Sequence, residues 1–70
     1  MPNPLIAQLA TLLHKYGSKL PPLEERRPLW AAIVSVSDEG IRKEFSEYVN
    51  NHVTTIHTIL LGEISRILHD

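Results

Sequence analysis

From Phe45 onward the apolar residues recur at spacings of four, four and three: Phe45, Val49, Val53, Ile56, Leu60, Ile64 and Ile67. Phe45, Ile56 and Ile67 share one register of an eleven-residue period, Val49 and Leu60 a second, and Val53 and Ile64 a third. Such a period keeps one apolar stripe nearly straight along a helix. The spacing therefore predicts a single amphipathic helix from Ser37 to Asp70, and a stripe that long requires something laid along it. Between Asp38 and Leu68 it would measure about 46 Å, whereas a compact chain of this length is about 28 Å across. An unbroken helix thus implies an elongated molecule. Asn50-Asn51-His52-Val53-Thr54-Thr55 is poor in helix propensity, so a break at Asn50-Asn51 is the competing reading.

Upstream, Asn3 followed by Pro4 is a helix start, an amide able to cap and a proline where its missing donor costs nothing. Leu5, Leu9, Leu12, Leu13 and Tyr16 form one apolar face, and Gly17 stands where a left-handed cap ends a helix. No positive charge precedes the apolar run from Leu5 to Leu13, and His14-Lys15-Tyr16 replaces a small-residue cleavage site, so the run reads as helix rather than leader. Pro21-Pro22 marks a connector extending to Arg27. A proline inside a helix costs about 3 kcal/mol, so a second helix is expected to start afresh at Pro28 and run through Val36. Its near-uniform apolarity calls for burial on more than one side, a strand over Ile33 to Ser37 being the alternative. Ser37-Asp38-Glu39 then caps the long helix, with Asp38–Arg42 and Glu39–Lys43 at pairing distance along it.

The expected architecture is one all-α domain spanning residues 1–70: two shorter helices packed along one long C-terminal helix. Seventy residues support only a small core, and small cores lean on disulfides, metals or oligomerisation. With no cysteine, disulfides are excluded and association becomes the favoured staple. The two shorter helices cannot cover the whole stripe, which leaves apolar surface for a second copy to bury in an elongated dimer. Partner-contact candidates are Trp30, Leu60, Leu61, Ile64, Ile67 and Leu68. Trp30 beside Arg26 and Arg27 has the composition of a binding hot spot, although a tryptophan at the core centre reads the same way.

Other chemistries leave weaker traces. A formal net charge of −1 argues against a nonspecific grip on nucleic acid. The residues such a regulator would use are Arg26, Arg27, Arg42 and Lys43, with Ser35 to Gly40 as the joint of a helix-turn-helix. His52, His57 and Glu63 border the stripe and could hold a metal across a dimer, but histidines five apart diverge on a helix. Glu24-Glu25 and Glu44/Glu47 each have Arg or Lys nearby and read as solvated faces; no nucleophile motif or glycine-rich phosphate loop occurs. Gly62, inside a helix, suggests either close approach of another backbone or simple tolerance. The sequence therefore reads as a non-enzymatic, cytoplasmic protein without a cofactor or a membrane span. It would act by protein–protein association as a homodimeric regulator or adaptor.

Overall fold

The computed structural model describes residues 2–69, which form four helices: α1 (Pro4–Tyr16), α2 (Leu23–Ser35), α3 (Glu39–Asn50) and α4 (Thr58–His69). No strand occurs among the described residues, so Ile33 to Ser37 is not one. The long C-terminal helix is not present as a single element: it breaks after Asn50, and α4 folds back beside α3. The molecule measures 29 × 22 × 22 Å, the size of a compact chain rather than an elongated one.

α1 forms for the reasons its sequence gives. The Asn3 side chain accepts from the N–H groups of Leu5 (3.0 Å) and Ile6 (3.2 Å), Pro4 takes the first helical position, and Gly17 closes the helix at φ 62° with its N–H on Leu13 O (2.8 Å). The same Asn3 amide donates across to Ile41 O (2.9 Å) and Glu44 Oε1 (3.1 Å). One buried residue therefore caps α1 and ties it to α3.

α2 starts five residues earlier than Pro28 and runs through it. Pro28 cannot donate to Glu24 O, a bond the helix does without at an exposed residue. The first turn is also pinned from outside. Glu25 meets Lys15 Nζ (2.8 Å) and the Tyr16 hydroxyl (3.3 Å), and Arg26 Nη1 donates to Pro21 O (2.7 Å). Leu29 and Ile33 beyond the proline are fully buried and hold the remainder.

Asp38, not Ser37, caps α3, accepting from Ile41 N–H at 3.1 Å. Arg42 does not pair with Asp38; its Nη1 donates to Ile33 O and to Val36 O (2.9 Å), satisfying carbonyls at the end of α2. Glu39 and Lys43 are both exposed and do not pair. Where the stripe was expected to continue as helix, residues 51–57 turn. His52 N–H bonds Val49 O, and His52 O accepts from the N–H groups of Thr55 and Ile56, each at 3.0 Å.

Phe45, Val49, Ile56, Leu60 and Ile64 from the stripe join Leu5, Leu9, Leu12, Leu29 and Ile33 in one core. The stripe member at the turn, Val53, is 45% exposed. α2 packs on α1 and α4, and α3 packs on α1 and more sparingly on α4. Gly62 serves no close approach: a side chain built there would meet nothing within 4 Å.

Candidate functional site

Among the described residues, three of the four exposed large apolar residues, Leu23, Val34 and Ile59, lie on α2 and α4, the fourth being Val53 in the turn. Leu23 and Val34 on α2 are 44% and 71% exposed, and Ile59 on α4 is 52% exposed. Trp30, between Leu23 and Val34 on α2, is half-buried. The guanidinium carbon of Arg26 lies 5.6 Å from its ring centroid, a cation–π distance. Arg26 Nε in turn stands 3.1 Å from Glu63 Oε1, close as an ion pair but off-line as a hydrogen bond. This pair joins α2 to α4. The Trp30 indole nitrogen is buried without an acceptor, which leaves the ring held by packing and charge rather than by a hydrogen bond. Ile59 lies one turn before Glu63, so it stands on the α2 side of α4.

Of the residues expected to meet a partner, Leu60 (1% exposed) and Ile64 (fully buried) belong to the core of the single chain. Helix α2, with a smaller share from α3, packs against α4 where a second copy was expected to cover the stripe. Ile67, Leu61 and Leu68 are partly buried around that core. Ile67 lies near Val34 and Val36 in a shallow depression that Arg42 also lines. Leu61 and Leu68 line a groove with Val49 and Val53 between α3 and α4. Trp30 remains at the surface edge.

The four basic candidates separate into two kinds. Arg26 and Arg42 are engaged inside the fold, the first with Pro21 O and Glu63, the second with the end of α2. Arg27 and Lys43 are exposed, on α2 and α3 respectively.

His52, His57 and Glu63 are not brought together, and no group of three or more potential metal-ligating side chains gathers among the described residues. Each histidine has local work instead. His52 Nδ1 donates to Tyr48 O (2.8 Å), and its ring stacks on Tyr48 at 4.1 Å, finishing α3. His57 Nδ1 accepts from Ile59 N–H (3.1 Å) and starts α4. A carbonyl only accepts and an amide only donates, so His52 carries its proton on Nδ1 and neutral His57 on Nε2.

Leu23 escapes a reading that starts the second helix at Pro28, Val34 falls within that helix but is exposed rather than buried, and Ile59 is the one residue near the expected leftover stripe that is more than half exposed. Counted from Leu23, the spacing Leu23, Arg27, Trp30, Val34 would have placed all four on one face. Comparison with family models, with curated proteins and with solved structures gave no match. No described helix is long and apolar enough to cross a membrane.

Proposed function

We propose that this chain is a non-enzymatic binding module, a small regulator or adaptor that works by protein–protein association through the outer face of α2 and the adjoining side of α4. One observation carries the reading: Leu23, Val34 and Ile59 are large apolar residues near or above half-exposed, the first two flank the sole tryptophan along α2, and the chain closes a core without them. Exposed apolar residues grouped around an aromatic anchor are what a binding face requires. The titratable and basic side chains most suited to chemistry, Arg26, Arg42, His52, His57 and Glu63, are engaged in caps and ties that hold the helices, which favours association over catalysis or metal binding. Arg27 borders the face and supplies a charge for orientation.

The test places a photo-crosslinking residue at position 34 in the cell of origin, with position 43 on the polar face as control. A protein captured at 34 and not at 43 is the expected result. Equal capture at both positions, or none at 34, would overturn the proposal.

A further inference from the structure

The outer residues of α2 carry more information than apolarity. Leu23, Arg27, Trp30 and Val34 follow one another at spacings of four, three and four, the d-a-d-a order of a heptad seam. At 100° per residue they fall within an arc of about 60°, roughly a third of a turn from the core-facing pair Leu29 and Ile33. The seam is thus turned away from the core, along the edge of α2 that borders α4.

We infer that this seam pairs with itself: two copies of the chain associate through α2, antiparallel, about a two-fold axis that crosses the helix between Pro28 and Leu29. The inference rests on the association proposed above and names its partner as a second copy. The argument is one of complementarity. In an antiparallel helix pair each layer joins an a position to a d position, which sets Leu23 against the partner's Val34 and Arg27 against the partner's Trp30. The two end layers are then apolar on apolar. The two central layers each place a guanidinium on an indole, the arrangement a cation and an aromatic face favour. A two-fold generates every layer twice from the same residues, so one patch satisfies both copies.

A parallel pairing fails on the same residues. It would set Arg27 against the partner's Arg27 at the seam, two like charges with no carboxylate between them. The antiparallel pairing instead moves Arg27 and the partner's Arg27 into adjoining layers, each set against a Trp30 ring. The guanidinium already near that ring, Arg26, is matched by Glu63 at 3.1 Å, so the incoming Arg27 does not meet an unanswered positive charge. Antiparallel helices also oppose their dipoles. Ile59, on the α2 side of α4, adds apolar area beside the seam.

The contact is short. From Leu23 to Val34 the seam is about 17 Å long, which is below the length of a standard stable interface, and the dimer is accordingly weak. It forms and releases with concentration.

The full chain contains no cysteine, so introduced thiols report the register without interference. Chains carrying Leu23→Cys are mixed with chains carrying Val34→Cys and oxidised, with Lys43→Cys as a surface control. The expected product is the mixed disulfide dimer, well above either homodimer and above the control. A dominant Val34→Cys homodimer would mean parallel pairing and would overturn the inference, as would mixed product no greater than the control. In parallel, light scattering on the unmodified chain should show apparent mass rising from 7.9 kDa toward twice that with concentration. Val34→Glu, at an exposed site that leaves the core untouched, should move that rise at least tenfold higher. A folded chain that stays monomeric throughout sinks self-pairing. If position 34 still captures a different protein in cells, the binding face itself stands; if it captures none, both readings fall.

Discussion

Replacing Arg42 separates a residue that holds the fold from one that contacts a partner. Its guanidinium donates to Ile33 O and Val36 O, carbonyls at the end of α2 that no helical N–H reaches. Hydrogen bonds from a charged donor contribute about 1.5–3 kcal/mol each. Arg42 is only half-buried, and the two bonds share one nitrogen, so the pair belongs near the lower end of that range. Water can partly replace the lost donors, which leaves about 2 kcal/mol for Arg42→Met, a change that keeps the apolar stem. In a domain of this size about 1 kcal/mol moves the midpoint by about 4–8 °C, so thermal unfolding should fall by about 8–16 °C. Arg42→Lys keeps one donor direction and should lose about half as much. Circular dichroism melts of the three proteins decide the matter. A melting temperature for Arg42→Met within about 2 °C of the parent, below what even half a kilocalorie would produce, refutes the capping role.

Asn3→Ala removes a cap worth about 1 kcal/mol and two ties to α3 worth about 1 kcal/mol each; Asn3→Ser should recover the cap alone, and urea titration of the two variants separates the parts. Gly62→Ala should stabilise the chain by about 1 kcal/mol, since a methyl there meets nothing and glycine is a poor helix former; a loss would mean that another surface packs on that side of α4. Pro28→Ala restores a donor to Glu24 O and should raise stability by about 1–2 kcal/mol after the looser unfolded chain is counted, whereas a drop in midpoint would show that the ring's packing near Leu12 matters more. The exposed Lys15–Glu25 pair sets a small pH dependence. Lys15, as hydrogen-bond donor and as charge, holds the Glu25 carboxyl below its ordinary pKa, so the contribution of Glu25 is present above the carboxylate range and lost as pH falls through the lowered value. Lys15 is raised by the same contact, and its share is lost only as pH climbs past the raised value. Glu25→Gln should therefore differ slightly from the parent at about pH 6 and converge with it near about pH 2, and the difference should shrink in salt. A gap that persists in strong acid would mean that Glu25 acts through something other than this pair.

The all-helical class and the whole of α1 were legible because capping is local: Asn3, Pro4 and Gly17 act within a few residues of themselves. The stripe was harder because its period has two solutions. One helix facing a foreign surface and two helices facing each other both place Phe45, Val49, Ile56, Leu60 and Ile64 on one side, and the seven-residue turn preserves the phase. Only the weak helix formers at Asn50-Asn51 carried the distinction, and they spoke against the pattern. Pro28 misled in the opposite direction. Its local cost is real, but the contacts of Glu25 and Arg26 that hold the first turn come from α1, Pro21 and α4, which no local rule supplies. The same limit hides the role of Arg42, whose acceptors lie at the end of a different helix, and it makes Leu60 and Ile64 look like contact residues while Leu23 and Val34 do not.

The packing order has a consequence for how the protein is made. α1 and α2 pack on each other, but α1 also lies against α3, and α2 lies most closely against α4, so the first half of the chain needs the second to close the core. On the ribosome the core cannot close when Ser35 emerges: α1 can already meet α2, but the α4 side of α2 stays uncovered until Ile64, some thirty residues later. At a synthesis rate of about 5–20 residues per second that wait lasts seconds, far longer than helices take to form. By the same logic a chain cut in the connector at 36–38 should yield two fragments that are unstructured apart and fold on mixing, each supplying the helices the other lacks.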